Sequence, residues 1–95
     1  MFVIFGNYTA PIEEVDSHRE EHLQFIGGLV AAGTIVASGR RAASDGSVLV
    51  LSAESRDAAL ALFNDDPYIK AGVVEYELEA EFTAGAKAPG LEDYS

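Results

Sequence analysis

The chain of 95 residues has no cysteine, no tryptophan and few basic residues, 6 against 16 acidic ones. Without cysteine there is no disulfide, no thiolate metal site and no cysteine nucleophile. The formal net charge of −10 repels phosphate backbones and anionic lipid surfaces. We therefore expect neither a nucleic acid nor a membrane among its partners.

Long hydrophobic runs are also missing. The first eight residues have no basic lead and no extended apolar stretch, as a signal peptide would, and no segment approaches the roughly 20 apolar residues of a membrane span. We expect a soluble, unprocessed protein, and a small domain without disulfides fits the cytoplasm best. With 95 residues the chain is long enough for one domain with one core, and the 48% of residues that are hydrophobic can fill that core.

The first half of the chain shows a strand, a helix and a hairpin. Residues 2–8 are apolar on both alternating faces, which is typical of a central strand. Apolar residues recur at helical spacing over residues 12–32, between Pro11 and Gly33, and predict one helix. Residues 34–43 and 47–51 flank the turn signal Ser44-Asp45-Gly46 and predict a hairpin.

The second half predicts a second helix and a last strand. Ser55 can cap a helix through Phe63, and Asp66 with Pro67 can start a further short turn that ends at Gly72. Residues 73–82 alternate between apolar side chains and glutamates, which predicts a strand with one polar face. Residues 1–82 then form the domain, and residues 83–95 form a tail that is frayed or draped over a partner.

This order of elements predicts a ferredoxin-like α+β fold, β-α-β-β-α-β, with a four-stranded antiparallel sheet. Two helices can cover only one face of that sheet. Because strands one and three are apolar on both faces, the other face also needs cover, and a second copy packed sheet to sheet supplies it. We therefore expect a homodimer or a higher oligomer.

His22 is the candidate for acid–base chemistry. A helical wheel places it in the middle of the apolar arc of the first helix, with Arg19 inside the arc and His18 at its edge. A buried imidazole needs a hydrogen-bonding partner, and Asp66 is preferred because the Asp-Pro turn orients its carboxylate inward. The alternative is that His22 is a structural core residue. The other candidate partners are Asp65, Asp45 and Glu21.

Two further patterns are weaker. Residues 18–22 spell H-x-x-E-H, an inverted zinc-peptidase signature, but its two histidines straddle the apolar arc, Arg19 would bring positive charge to a metal, and such enzymes need a larger scaffold. We therefore predict no metal and no cofactor. The pair Gly27-Gly28 lies inside the helix and is not a phosphate loop; close packing of the helix on the sheet is the expected reason for it.

Ligand-binding side chains are expected after strand two. Ser38 and Arg40, with Gly39 and Arg41, can bind an anionic group, although arginines on an edge strand also serve as a solvated guard against aggregation. Tyr68 can donate a hydrogen bond at the same site or simply pack there.

The sequence resembles the YciI-related (YCII) family of the dimeric α+β barrel superfamily from Met1 to about Phe82. The residues that carry the resemblance are Arg19-x-x-His22-Leu23, Gly33, Ser38-Gly39 and Asp66-Pro67-Tyr68-x-x-Ala71-Gly72-Val73. The resemblance implies a dimeric barrel with a histidine and an aspartate, here His22 and Asp66, in the active site. One branch of the family resembles dehydrochlorinases of chlorinated hydroxyquinols. Gly39-Arg40 stands where many members have Gly-Pro.

Together these observations favour a cofactor-independent isomerase or lyase acting on a small anionic or phenolic molecule. In this hypothesis His22 transfers protons, Asp66 orients it, and the ligand is held by Arg19, Ser38, Arg40 and Tyr68. The alternative is a non-catalytic dimeric module that binds a metabolite or another protein, in which His22 and Asp66 are a structural pair.

Overall fold

The computed structural model describes residues 1–94 and confirms the ferredoxin-like α+β arrangement. The first expected helix is divided into two, and the second helix is followed by the short helical turn expected at Asp66 and Pro67, so that the order of elements is β-αα-β-β-αα-β. The elements are β1 Phe2–Tyr8, α1 Ile12–Asp16, α2 Arg19–Ala31, β2 Ile35–Arg40, β3 Gly46–Leu51, α3 Arg56–Ala61, α4 Pro67–Lys70 and β4 Val74–Glu81.

The four strands form one sheet in the order β2-β3-β1-β4, with every neighbouring pair antiparallel. The helices pack on one face, and the main core lies between them and the sheet. Its buried members are Phe2, Ile4, Ile26, Ile35, Leu49, Leu51, Ala59 and Phe63. A second cluster under α1 and α4 contains Val15, Tyr68, Val73 and Val74.

The opposite face of the sheet, which we call the open face, has no helix over it. Phe5 pairs with Val48, and Val3 pairs with Val50, so these four side chains lie together on that face. All four are only partly buried within the chain. The apolar open face is the physical reason to expect a second copy, and the dimer stays a prediction.

The single helix expected over residues 12–32 is wrong in one respect, because α1 and α2 are separated at Ser17 and His18. The Ser17 hydroxyl donates a 2.6 Å hydrogen bond to the carbonyl of Glu14, and the amide of His18 donates to the carbonyl of Val15. His18 then leaves helical geometry, with φ −109° and ψ 4°. Such local side-chain bonds compete with regular helix.

The expected alternation of the last strand changes face near its end. Ile4 pairs with Leu78, but Val3 pairs with Ala80, so a bulge leaves one extra residue in β4. Ala80 therefore lies on the open face beside Val3 rather than on the helix side with Leu78. Period-two patterning does not reveal a bulge when small and polar residues surround it.

The expectation for Gly27 and Gly28 is also wrong. Both residues are exposed, and a Cβ atom added at either position would contact nothing within 4 Å. The two glycines thus face away from the sheet, and close packing against it does not explain them.

The tail from residue 83 makes hydrogen bonds within its own chain, and its role toward a partner stays a prediction. The Tyr94 hydroxyl donates a 2.6 Å hydrogen bond to the carbonyl of Gly33, just beyond the end of α2, and the Lys87 ammonium donates to the carbonyl of Tyr94. Ser95, the last residue of the predicted tail, lies outside the described residues. Over residues 1–94 no helix is long and apolar enough to cross a membrane.

Candidate active site

Asp66 stands at the start of α4, where the sequence places it. Pro67 follows as the first helical residue, and one carboxylate oxygen of Asp66, Oδ1, accepts a 3.0 Å hydrogen bond from the amide of Tyr68. The same side chain is fully buried. The two roles weighed from the sequence, capping the turn and pointing inward, are therefore performed by one carboxylate.

His22 meets that carboxylate from the inner face of α2. Its Nδ1 lies 2.8 Å from Oδ1 of Asp66, and the residue is 8% exposed. The ring stacks on Tyr68 with 3.7 Å between centroids and 4° between planes. The other acids considered lie elsewhere: Asp65 and Glu21 are exposed, and Asp45 pairs with Arg41 at 2.9 Å.

The hydrogen bonds indicate which nitrogen of the His22 ring carries the lone pair. An ionised carboxylate only accepts, so Nδ1 of His22 donates and the neutral ring carries its lone pair on Nε2. Every buried side-chain nitrogen or oxygen in residues 1–94 has a hydrogen-bond partner. Because Nε2 is bonded to no group in that part of the chain, it is open to the cleft that His22 lines.

Tyr76 on β4 is a third member of this cluster that the sequence analysis missed. Its hydroxyl donates a short hydrogen bond to Oδ2 of Asp66, and its ring stacks on Phe63 with centroids 4.3 Å apart. Gly6 on β1 makes room for it, because a Cβ atom there would lie 2.8 Å from the Tyr76 ring. The signal was its place on the apolar face of β4, the strand that follows α4, ten residues after Asp66.

A cleft opens beside His22 where β1 and β2 end and β3 begins. Its cavity volume is about 40 Å³, and it opens to solvent at its mouth. Five of the six predicted site residues line it, and the sixth, Asp66, lies behind His22. The lining residues are Tyr8, Arg19, His22, Leu23, Ser38, Gly39, Arg40, Ser47, Leu49 and Tyr68. Their roles toward a ligand stay predictions.

The two consecutive arginines have separate surroundings. Arg40 faces the cleft, with Nε donating to the Tyr8 hydroxyl at 2.9 Å and a terminal nitrogen donating to Asp16 at 2.5 Å. This bond holds the pKa of the Asp16 carboxyl below its usual value and raises that of the guanidinium. Arg41 instead lies over the Phe5 ring, 5.1 Å from its centroid, and donates to the carbonyl of Ser47.

Tyr68 and Tyr8 form an aromatic wall of the cleft. Their rings meet edge to face, with centroids 6.2 Å apart and an interplanar angle of 86°. Burial raises the pKa of the Tyr68 hydroxyl above its ordinary value, and the neighbouring Tyr8 adds to the rise. Tyr68 therefore keeps a protonated hydroxyl while its ring packs on Tyr8 and His22, and a hydrogen bond from it to a ligand stays a prediction.

A model of the YCII-related domain matches residues 1–82. The chain belongs to the YCII-related family. No curated protein matches the sequence. Among solved structures, the chain is similar to 5-chloro-2-hydroxyhydroquinone dehydrochlorinase (TftG) from Burkholderia phenoliruptrix AC1100, in complex with 2,5-dihydroxybenzoquinone. The TM-score is 0.68 and the identity 23%, over 86% of this chain and 94% of TftG. At that identity the likeness establishes a shared fold.

Within this YCII-related domain, His18 is set apart from the cleft. It stands before the first turn of α2, and its side chain makes no capping hydrogen bond. In residues 1–94 no three histidine, aspartate or glutamate side chains are grouped so as to hold a metal ion. The H-x-x-E-H spacing is thus divided between a residue before the helix and a residue inside it whose Nδ1 already binds Asp66.

Proposed function

We propose that this YCII-related protein is a cofactor-independent enzyme of the lyase or isomerase type. His22 moves a proton on a small phenolic or enolic molecule, and Asp66 orients it. The observation that carries the proposal is that a fully buried carboxylate holds Nδ1 of His22 at 2.8 Å, while Nε2 has no partner in residues 1–94 and adjoins a cleft.

This geometry suits proton transfer for a physical reason. Asp66 keeps the neutral ring in the tautomer with its lone pair on Nε2, and its negative charge stabilises the cation that forms when Nε2 takes a proton. His22 can then return that proton to another atom of the same molecule, which is isomerisation. If a leaving group departs from that molecule instead, the reaction is an elimination.

The cleft offers contacts for a planar anion. The Tyr68 ring already stacks on one face of His22, and Arg19, Ser38 and Arg40 lie at the cleft wall. Asp16 pairs with Arg40, so the two arginines leave about one unit of positive charge at the cleft wall, and the Asp66 carboxylate behind His22 offsets part of it. That charge matches a phenolate or enolate better than a phosphate. The complex of TftG with 2,5-dihydroxybenzoquinone supports the choice of an oxygenated ring as a probe.

One observation favours the second candidate, a non-catalytic binding module. Asp66 accepts hydrogen bonds from groups on α2, α4 and β4, so it ties three elements together as a structural residue would. Removal of Asp66 lowers stability under both hypotheses and does not separate them. His22 is the residue to change, because its loss leaves two of the three donors in place.

The test compares His22→Gln with His18→Gln, the matched change at the histidine outside the cleft. The probes are hydroxyhydroquinone and its 5-chloro derivative, with chloride release and solvent deuterium exchange as readouts. We expect the wild type and His18→Gln to turn over a probe, and His22→Gln to lose at least about 100-fold, the usual contribution of a general base. Equal rates in His22→Gln and the wild type would overturn the proposal.

Binding is tested separately with 2,5-dihydroxybenzoquinone, which carries no chlorine and so cannot release chloride. Amide chemical shifts of residues 38–40 are expected to move on titration, and those of residues 27 and 28 on the outer face of α2 to stay unchanged. If His22→Gln binds this probe as tightly as the wild type but turns over nothing, His22 acts in catalysis rather than in binding. Equal shifts on both faces would contradict a specific cleft.

A further inference from the structure

We propose that Tyr76 is a positioning residue that acts on His22 through Asp66. The inference rests on the proposed function for its catalytic meaning, because His22 must first be the proton-transferring group. The physical basis lies in the two oxygens of one buried carboxylate. Oδ1 faces His22 and the amide of Tyr68, and Oδ2 faces the Tyr76 hydroxyl.

The Tyr76 hydroxyl is a hydrogen-bond donor to Asp66. Burial raises its pKa far above the ordinary value, and the hydrogen bond to Asp66 adds to the rise. It therefore stays protonated at neutral pH, with its hydrogen directed to Oδ2 of Asp66. A hydrogen bond of this kind withdraws electron density from the carboxylate and weakens it as a base.

This weakening reaches the imidazole directly. A more basic Asp66 would favour the doubly protonated ring of His22, which has no lone pair on Nε2 and cannot accept a proton. By holding Oδ2, Tyr76 keeps more of the His22 population neutral and also prevents the carboxylate from rotating away from Nδ1. The hydroxyl thus contributes to the state of a residue that it does not touch.

Gly6 and Phe63 hold the tyrosine in place. The Phe63 ring stacks on Tyr76, and the missing side chain at Gly6 leaves space for the ring over β1. The remaining charged or titratable groups near the cleft lie on elements other than β4 and stay unchanged when only the Tyr76 hydroxyl is altered. They are Arg19 on α2, Arg40 on β2 with its partner Asp16 on α1, Tyr8 on β1 and Tyr68 on α4.

The experiment measures ¹⁵N chemical shifts of the His22 ring in the full chain at pH 7, which report the doubly protonated fraction without any substrate. Tyr76→Phe is expected to raise that fraction about twofold or more, as loss of a hydrogen bond to a carboxylate does. The matched control is Tyr94→Phe, whose hydroxyl bonds to a backbone carbonyl away from the cleft, and it is expected to leave the fraction unchanged.

Two further measurements separate action through Asp66 from a general structural effect. In an Asp66→Asn background, Tyr76→Phe is expected to have no effect on the ring, because the intermediary charge is gone. Substitution of Tyr76 by 3-fluorotyrosine keeps the ring and strengthens the donor, so the doubly protonated fraction is expected to fall. This second change decides the matter even if Tyr76→Phe does not fold.

The inference is overturned if Tyr76→Phe leaves the His22 ring as in the wild type, if its effect is the same without the Asp66 charge, or if 3-fluorotyrosine raises the fraction. These outcomes are independent of turnover. A His22→Gln variant with full activity would remove the proposed function and leave the coupling measurable. If Tyr76→Phe leaves the doubly protonated fraction unchanged while His22→Gln is inactive, the coupling through Asp66 is refuted and the proposed function stands.

Discussion

At the scale of single residues, the site depends on how a few polar groups are satisfied. Asp66 is fully buried and accepts three hydrogen bonds, which explains why a carboxylate is tolerated in a core. His22, by contrast, is bonded at one ring nitrogen only within residues 1–94. In a purely structural salt bridge we would expect both groups to have all their hydrogen bonds made within the chain. Here, in residues 1–94, the carboxylate does, and the imidazole does not.

The Asp16–Arg40 pair at the cleft predicts a pH-dependent contribution to stability. Arg40 lowers the pKa of the Asp16 carboxyl below 3.8 in the folded chain, so the unfolded chain binds the proton first as the pH falls. The contribution is complete above that ordinary value and is lost as the pH drops through the folded one. Asp16→Asn is therefore expected to be less stable than the wild type at pH 7.

Urea denaturation at pH 7, 5, 4 and 3 checks this expectation. The difference in midpoint between the wild type and Asp16→Asn should be constant from pH 7 to 5 and shrink at pH 3. Asp65→Asn serves as the control, since Asp65 is exposed and belongs to no ion pair in residues 1–94. A difference in midpoint that is as large at pH 3 as at pH 7 would contradict the ion-pair explanation.

At the scale of elements, capping and chain reversal place the site residues. The carboxylate of Asp66 starts α4, and Gly72 ends it with φ +70°, so the short helix turns the chain back into β4 and brings Tyr76 to Asp66. On α2, the break before Arg19 gives the helix its own start near the cleft. His22 then lies one turn inside the helix, opposite α4.

Gly27 and Gly72 have different backbone conformations, and substitution by alanine is expected to change stability in opposite directions at the two positions. Gly27→Ala is expected to stabilise the chain by about 1 kcal/mol, because alanine is the better helix former and its Cβ meets nothing. Gly72→Ala is expected to destabilise it by about 1 kcal/mol, because an L side chain resists the left-handed region, although space is free there too.

Free energies of unfolding from urea titrations of the two variants test the pair. The same atom is added in each case, so the opposite signs would isolate the backbone conformation as the cause. A loss of stability in Gly27→Ala would show instead that something outside the chain packs against this face of α2.

At the scale of the whole molecule, the apolar open face favours association of two copies and the net charge opposes it. The open face around Phe5 and Val48 calls for a partner surface, while two copies with a net charge of −10 each repel one another. Salt screens that repulsion over about 10 Å at 0.1 M. Association through the open face should therefore become tighter as ionic strength rises.

We predict a dimer that Val50→Asp disrupts. Val50 lies on the open face beside Val3, where a buried carboxylate would be costly. Val30→Asp is the matched control, since Val30 is 47% exposed on α2, and it should leave the dimer intact. Sedimentation at micromolar concentration is expected to give twice the chain mass of 10.1 kDa for the wild type and the control. A folded wild-type monomer would refute the dimer.

The fold and much of the candidate site were accessible from local patterns. Capping signals placed Asp66 and Ser55 at the starts of their helices, and both side chains accept the expected backbone hydrogen bonds. The break at Ser17 and the bulge near Ala80 were not accessible. Each depends on a few competing hydrogen bonds whose balance does not alter the hydrophobic period.

The sequence by itself determined the order of the elements, the inward face of His22 and the net negative charge, because periodicity and composition are properties of neighbouring residues. Only the tertiary structure decided which acid meets His22, that Arg40 rather than Arg41 faces the cleft, and that Tyr76 completes the carboxylate's hydrogen bonds. Those outcomes depend on distances between groups 44 and 10 residues apart in the chain, and packing of the elements sets such distances.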